Sequence, residues 1–420
     1  MTVPADTLAV PVRWRPLAAA GLCASLVGLG IGRFAYVPLL PLMIDSGWTT
    51  AAGAAQIAAA NLLGYLLGGA SAHRLALRFG ASPVIRGAML AVVLSLLACS
   101  ADIGLPWLWT WRLIAGVSGG ILMILAAPFL MRQVPLASRG KAIGIVFAGI
   151  GVGVVVSGIG VPAIGAAHLR DAWLMLAVAT AIATAFAWPR FAASVGPAPS
   201  VSTSSDHGAT LPPAQQTLLP RGALLALLCA YVLDAICYLP HTVFWVEYLV
   251  HGLGKPLAIG GAFWAVFGAG AALGPLLTGY AADRFGFKRT LVACFACKAV
   301  AVALPLLSTA MPMLFLSSFA VGALTPGMVA VASGRVVEIA GPAAHQRNWA
   351  MMTFVYALLQ ALGGYAMAAV YGATHSFTLL FSVAACALVV SAVIASFGES
   401  TSGSSGKAAS SNSGGERSAT

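Results

Sequence analysis

Charged residues are scarce in this 420-residue chain, and their scarcity excludes an ordinary water-soluble fold. Asp, Glu, Lys and Arg make up 8% of the sequence, against roughly 25% in a soluble domain. Hydrophobic residues reach 60%, a share that a protein surrounded by water could not bury. Since about 20 apolar residues cross a bilayer, we expect lipid to surround most of this chain.

Two further absences narrow the function. The chain has no G-x-x-x-x-G-K-[ST] motif, the loop that cradles nucleotide phosphates, so direct use of ATP is not expected. It has seven cysteines, all within apolar runs. Cys294 and Cys297 form a C-x-x-C pair, which on a helix indicates small packing residues. We therefore expect no metal, cofactor or catalytic chemistry.

Long apolar windows predict twelve membrane-spanning helices in two groups of six. They lie near residues 17–44, 51–72, 83–101, 105–131, 142–166, 171–189, 222–247, 257–281, 288–309, 312–336, 348–372 and 376–397. The predicted organisation is all-α, with the following parts: a cytoplasmic N-terminus 1–16, a six-helix bundle 17–190, a Ser/Pro/Gly-rich linker 191–220, a second bundle 221–398 and a disordered tail 399–420.

The distribution of Lys and Arg predicts the orientation in the membrane. With the N-terminus inside, seventeen of these residues fall on one side, whereas only Arg170 and Lys255 fall on the other. Short cytoplasmic loops retain positive charge, so both termini and the linker are expected in the cytoplasm. The net charge of +11 then reflects topology, and no nucleic-acid partner is expected.

An internal repeat relates the two bundles. Tyr36-Val37-Pro38 returns as Tyr238-Leu239-Pro240, and the same offset carries Asp45 onto Glu247. The segment GYAADRFGFKR at 279–289 has a weaker counterpart, GGASAHRLALRFG, at 68–80. Two such halves, related by an axis along the membrane normal, are typical of transporters, whose substrate site lies between the halves near the midplane.

Several motifs resemble those of the major facilitator superfamily. The loop signature G-x-x-x-D-R-x-G-x-K-R is matched by Gly279, Asp283, Arg284, Gly286, Lys288 and Arg289. The first-half copy has His73 in place of the aspartate but keeps Arg74. The segment GIGRFAY at 30–36 resembles the start of the bacterial YbfB/YjiJ-like branch. This resemblance implies a twelve-helix secondary transporter of the bacterial cytoplasmic membrane that works by alternating access.

Two glycine motifs add to the resemblance. Arg112, Gly116 and Gly120 resemble the helix 4 motif of the superfamily. The glycines of the fifth span resemble a motif of exporters but lack its central Gly-Pro pair. We predict a packing or hinge role for four of them: Gly149, Gly151, Gly153 and Gly158. Ordinary small-residue packing is the alternative.

Embedded charges mark the candidate coupling site. Arg33 is the only charged residue between Leu17 and Ile44. An Arg at the centre of a membrane-spanning helix raises the free energy of insertion by about 2.5–3.5 kcal/mol. Asp234 is alone between Gly222 and Val246, and the repeat offset brings it close to the level of Arg33. One hypothesis is that Asp234 titrates and couples proton flow to transport. A static ion pair and an anion site at Arg33 are the alternatives.

Two more cations lie inside predicted spans. Arg112 shares a helix face with Gly116 and Gly120, so it either faces the cavity or reaches the outer interface. Lys298 lies halfway along the ninth span. This helix is normally peripheral in the superfamily, so we expect no defined function for Lys298 and consider a side chain that reaches an interface.

The remaining candidate residues fall into two groups. Aromatic and polar residues predict a cavity for a small amphiphilic or aromatic solute: Tyr36, Asn61, Tyr238, His241, Trp245, Trp264 and Gln360. Charged residues at cytoplasmic helix ends predict a gate: His73, Arg74, Asp283, Arg284, Lys288, Arg289, Arg335 and Glu338. Packing and solvation are the respective alternatives.

The sequence thus predicts a monomeric secondary transporter whose partners are a small-molecule substrate, protons and the lipid bilayer. Proton coupling is expected, and export is favoured over import through the resemblance of the fifth span. An importer of the same fold and a transporter-like membrane sensor are the alternatives.

Overall fold

A computed structural model describes residues 14–135, 138–165, 168–192 and 221–397 of the chain. The predicted tail lies outside the described residues, as do 1–13 of the predicted N-terminus and 193–220 of the predicted linker. Residues 191 and 192 belong to the end of a helix.

The described chain forms twelve helices that are long and apolar enough to cross a membrane, which confirms the predicted all-α class. We number them as spans 1 to 12 in chain order: Trp14–Asp45, Ala51–Phe79, Ala81–Ala98, Leu105–Met131, Arg139–Gly165, Leu169–Ala192, Gly222–Val243, Leu257–Phe285, Phe287–Leu307, Met311–Gly341, Arg347–Thr374 and Phe377–Phe397. Spans 10 and 11 are two helices that meet at a kink, where Gly341 has a non-helical backbone (φ +74°).

Spans 2 and 8 extend beyond their predicted ends, to Phe79 and Phe285. Each stops at a glycine with positive φ, Gly80 at +86° and Gly286 at +84°. Glycine adopts this left-handed backbone readily because it has no Cβ, so the chain turns at once into the next span. The prediction placed these turns too early because polar residues such as His73 and Asp283 lie inside the helices.

The repeat is visible in how the helices pack. An added Cβ on Gly116 of span 4 would clash with the carbonyl oxygen of Asn61 in span 2. In the second half, an added Cβ on Gly322 of span 10 would clash in the same way with the carbonyl oxygen of Phe267 in span 8. Only glycine permits backbones to approach this closely. Equivalent helix pairs therefore form the centre of both halves.

Span 1 is interrupted near its middle and span 7 nearer its end. In span 1, the helices Trp14–Ser25 and Tyr36–Asp45 are separated by a π-helical turn, Leu26–Ile31, and a short non-helical stretch. In span 7, the helix Arg221–Cys237 is followed by a separate short helix, Leu239–Val243. Irregular backbone inside a membrane protein is tolerated where it is buried in protein or lines a cavity. Arg33 lies in the interruption of span 1.

We call the side on which the described chain begins at Trp14 and ends at Phe397 the terminal face, and the opposite side the distal face. The two halves meet in the distal part. An added Cβ on Gly158 of span 5 would lie 2.6 Å from the carbonyl oxygen of Gly261 in span 8, and one on Gly372 of span 11 would lie 3.0 Å from Cβ of Ala52 in span 2.

Both of these contacts between the halves lie towards the distal face.

Candidate functional site

A cavity of about 290 Å³ lies between the two halves, at the interruption of span 1. Spans 1, 2, 4 and 7 contribute its walls, which consist of Arg33, Tyr36, Val37, Ala58, Asn61, Leu62, Arg112, Thr242 and Val243. Four of the residues predicted from the sequence, Arg33, Tyr36, Asn61 and Arg112, thus line one space. The walls carry two cations and no carboxylate.

Arg112 is 1% exposed, although it carries a permanent charge. Its Nη2 donates a hydrogen bond of 3.2 Å to the carbonyl oxygen of Arg33, and its guanidinium lies 5.2 Å from the ring centre of Tyr36. The Nε and Nη1 atoms have no hydrogen-bond partner among the described residues. The side chain is buried against the cavity and does not extend to the membrane surface.

Asn61 joins spans 1, 2 and 4 at the edge of the cavity. Its amide nitrogen donates to the carbonyl oxygens of Gly32 at 3.3 Å and Arg112 at 3.0 Å. The former carbonyl belongs to the interrupted part of span 1, where regular helical hydrogen bonds are lost. The side-chain oxygen Oδ1 is buried and has no donor among the described residues, so it offers an unused acceptor.

Arg33 contacts the second half through Tyr238. Its Nη2 donates a hydrogen bond of 3.0 Å to the hydroxyl oxygen of Tyr238, and its guanidinium lies 5.0 Å and 5.4 Å from the ring centres of Phe34 and Tyr65. Asp234 is not its ion-pair partner in the described structure. The repeat offset therefore places the two residues at similar depths without bringing their side chains together.

Asp234 pairs with Lys298 of span 9. Their charged atoms are 2.8 Å apart, and the two side chains are 2% and 0% exposed. Tyr356 of span 11 donates a longer hydrogen bond of 3.4 Å to the other carboxylate oxygen. The expectation that Lys298 reaches an interface is thus not met, because the carboxylate on span 7 holds this side chain inside the second half.

Tyrosines connect this ion pair to Arg33. The Lys298 ammonium lies 5.0 Å from the ring centre of Tyr238, whose hydroxyl accepts the bond from Arg33. The ring of Tyr238 stacks with that of Tyr356, which contacts Asp234. A continuous path of contacts therefore joins the central cavity to the buried carboxylate.

The other predicted cavity residues lie elsewhere. His241 and Trp245 are both 0% exposed, stack on each other, and bind Ser317 and Ser318 of span 10 at 2.8 and 2.7 Å. They belong to the core of the second half, where these hydroxyls bind His241 Nε2 and Trp245 Nε1. Trp264 packs between Phe34 and Phe267.

Gln360 of span 11 is 1% exposed, and its amide nitrogen has no hydrogen-bond partner among the described residues. It does not line the central cavity.

The glycines of span 5 face two directions. Added Cβ atoms on Gly149 and Gly153 would meet the backbone of span 1 in the same half, whereas those on Gly151 and Gly158 would meet span 8 of the other half. Alternate positions thus serve internal packing and the contact between halves. The hinge role stays a prediction.

The predicted gate residues lie at the terminal face. The structure contains one ion pair among them, Arg335 to Glu338 at 2.8 Å, within a single helix. His73, Arg74, Asp283 and Arg284 are exposed. Lys288 and Arg335 line a second cavity of about 270 Å³ inside the second half. No ion pair among the described residues closes this face across the halves, so its gating role stays a prediction.

A charged cluster near the distal face was not predicted from the sequence as a site. His251 lies between Asp45 of span 1 and Glu247 of its own half, with nitrogen–oxygen distances of 2.8 and 2.9 Å. Tyr371 of span 11 donates to Glu247 at 3.3 Å. The available signal was the repeat itself, since Asp45 and Glu247 occupy equivalent positions. The cluster joins the halves where they close.

Burial and charge act in opposite directions on His251. Partial burial lowers the pKa of His251, but the hydrogen bonds and negative charges of Glu247 and Asp45 outweigh it, so the pKa lies above its usual value. Burial raises the pKa of the Glu247 carboxyl. A histidine with a raised pKa stabilises the contact while it is protonated, and the stabilisation is lost as pH rises through that pKa.

We therefore expect the distal contact to weaken between about pH 6.5 and the raised pKa of His251. Because His251 and Asp45 are both partly exposed, the expected change in the ratio of closed to open molecules is below about fivefold. Spin labels at Ser46→Cys and Ala258→Cys, in a variant without the native cysteines, would report the distance across the halves. The His251→Gln variant retains a hydrogen-bond donor but does not titrate, and an unchanged pH dependence in it would contradict this assignment.

No group of three or more His, Cys, Asp or Glu residues suited to a metal ion occurs within the described ranges. The arrangement instead offers a polar space between two helical halves and a buried ion pair beside it. A polar space of this kind is typical of a site for a small solute.

Comparisons with known proteins agree with this geometry. A family model described as "Uncharacterised MFS-type transporter YbfB" matches residues 25–396. No curated protein matches the sequence.

Solved structures with the same fold include three transporters. A D-xylose-proton symporter is 13% identical with a TM-score of 0.68, over 92% of this chain and 98% of that one. The nucleoside transporter NupG is 14% identical with a TM-score of 0.71, over 90% and 99%. A bacterial homologue of the human lysosomal transporter Spinster, inward-facing and occupied, is 15% identical with a TM-score of 0.68, over 93% and 97%. At these identities the likeness concerns the fold.

Proposed function

Because this chain belongs to the family of uncharacterised MFS-type transporters represented by YbfB, we propose that it moves a small organic solute by alternating access, driven by protons. The observation that carries the proposal is the central cavity between the halves, which tyrosine contacts link to the buried Asp234–Lys298 pair. A solute at the cavity and a proton at the carboxylate would then affect the same group of side chains.

The packing of the halves supports alternating access. Contacts between spans 5 and 8 and between spans 2 and 11 join the halves in the distal part. Rocking of one half against the other would break the distal contacts and form new ones at the terminal face.

Proton coupling is assigned to Asp234. Its carboxylate is the proposed proton carrier because it lies inside the second half against the ammonium group of Lys298. In the proposed cycle, Lys298 moves away from Asp234 when the proton is taken up and returns when the proton is released. Tyr356 and Tyr238 are placed to transmit this change towards Arg33.

The proposed setting is the bacterial cytoplasmic membrane, with the terminal face in the cytoplasm, since most Lys and Arg fall on that side. Export is the proposed direction, supported by the resemblance of span 5 to the corresponding helix of exporters. Transport in proteoliposomes of known protein orientation would distinguish export from import.

We expect the Asp234→Asn variant to lose proton-driven accumulation while it retains exchange of solute across the membrane. Exchange needs alternating access alone, whereas accumulation also needs a group that carries the proton. The measurement is solute movement in proteoliposomes with and without a pH gradient, once a transported solute has been found by screening for thermal stabilisation of the purified protein.

Asp102→Asn is the matched control, because Asp102 is an exposed carboxylate of the loop between spans 3 and 4. It should accumulate solute as the wild type does. Undiminished pH-driven accumulation by Asp234→Asn would exclude Asp234 from coupling and leave the ion pair with a static role. A protein that binds solute but moves none under either condition would instead be a membrane sensor.

A further inference from the structure

We infer that the central cavity binds a small organic anion, a carboxylate that also carries a hydroxyl group. This inference rests on the proposed transport function and specifies its substrate class. It is drawn from the unused hydrogen-bonding atoms and the charge of the cavity wall.

The charge of the wall favours an anion. Arg33 and Arg112 both line the cavity, and no Asp or Glu does. The nearby carboxylate of Asp234 is already paired with Lys298 at 2.8 Å, so it does not compensate either arginine. A neutral or cationic solute would leave two cations facing one small space.

Arg112 supplies the strongest argument. It is 1% exposed, and two of its three guanidinium nitrogens have no partner among the described residues. Buried charges are normally paired, because removing an ion from water without compensation is costly. Its contacts with a carbonyl oxygen and with the ring of Tyr36 offset part of this cost. A carboxylate in the cavity would supply the missing hydrogen-bond acceptors and the opposite charge.

Asn61 accounts for the hydroxyl group. Both hydrogen bonds of its amide nitrogen go to backbone carbonyls, which fixes its side-chain oxygen as the atom without a donor. A hydroxyl on the solute can donate to this oxygen, whereas a carboxylate alone cannot. An ammonium group would also donate, but it would be repelled by the two arginines.

The remaining wall sets the size and the apolar part of the solute. Val37, Ala58, Leu62 and Val243 line the cavity beside the polar groups. The space between these walls is small. The expected solute is therefore a small hydroxy acid with a short apolar or aromatic body.

The test compares matched compounds on purified full-length protein. Lactate and 4-hydroxybenzoate are the acids, lactamide and 4-hydroxybenzamide their uncharged counterparts, and propionate lacks the hydroxyl. In calorimetric titration, at least one of the two hydroxy acids should bind. Its amide should bind more weakly than the acid. Propionate should likewise bind more weakly than lactate. We expect Arg112→Gln to weaken acid binding roughly tenfold to a hundredfold, as for loss of a hydrogen bond to a charged group.

Two further variants keep the test decisive. Arg33→Gln, at a partly buried position, should also weaken acid binding if Arg112→Gln fails to fold. Arg170→Gln removes an exposed cation at the start of span 6, and it should bind acids as the wild type does. Equal weakening in Arg170→Gln would indicate general charge attraction and overturn the assignment.

Other outcomes would also overturn it. These are equal binding of acids and amides, equal binding of inorganic phosphate or chloride, insensitivity to both arginine variants, and no acid binding by the wild type. A different result would contradict only the proposed transport function. The acid would then bind in an Arg112-dependent manner, but radiolabelled acid would not cross the proteoliposome membrane.

Discussion

The Lys298→Met variant is expected to lose about 3–5 kcal/mol of stability, because it leaves Asp234 buried without its partner. Both side chains of this pair are almost completely buried, so water cannot replace the lost contact. The measurement is chemical unfolding of the purified protein in detergent, followed by tryptophan fluorescence.

The double variant Asp234→Asn/Lys298→Met separates stability from coupling. It carries no buried unpaired charge, so most of the lost stability should return. Proton-driven accumulation should nevertheless stay absent, since no titrating group remains. If the single Lys298→Met variant is as stable as the wild type, the buried ion pair is contradicted. If the double variant keeps full proton-driven accumulation, the pair has a structural role alone.

The second large effect is expected at the contact between the halves. Gly158→Leu would place a side chain where an added Cβ already lies 2.6 Å from the carbonyl oxygen of Gly261 and 2.7 Å from the amide nitrogen of Ala265. Overpacking of this kind costs about 1–3 kcal/mol, which corresponds to roughly a fivefold to 150-fold shift away from the distal-closed state. Transport should fall by a similar factor while each half remains folded.

Gly144→Leu is the control on the same helix, because an added Cβ at Gly144 meets no atom within 4 Å. It should transport normally. Gly153→Leu gives the contrasting case: its Cβ would clash with the backbone of Gly30 inside the first half, so it should reduce folded protein. Normal transport by Gly158→Leu, or distal labels at Ser46 and Ala258 that show no separation, would contradict the role of this contact.

The predicted pairing of Arg33 with Asp234 is wrong, and it shows the limit of an argument from the internal repeat. The repeat offset aligns Arg33 with position 235, one residue from Asp234. On a helix one residue corresponds to about 100° of rotation, so equal depth does not imply that two side chains face each other. Asp234 points to spans 9 and 11, where Lys298 and Tyr356 lie, and Arg33 points to Tyr238.

His241 and Trp245 show a similar difference. Polar and aromatic residues in a transporter helix can line a cavity or occupy the core, and their types do not distinguish the two. Ser317 lies 76 positions from His241 and Ser318 lies 73 positions from Trp245 along the chain. They decide the matter because they bind the two side chains inside the second half.

The sequence by itself determined the twelve helices, their division into two repeated halves and the family, because hydrophobic length, local glycine turns and motif spacing are encoded locally. It also marked Arg33, Arg112, Asp234 and Lys298 as unusual, since an isolated charge in an apolar run is visible without a structure. Only the tertiary structure decided which of these charges pair and which face the cavity. Those outcomes depend on the rotation and tilt of helices that are far apart in sequence, and these are set by the packing of the whole bundle.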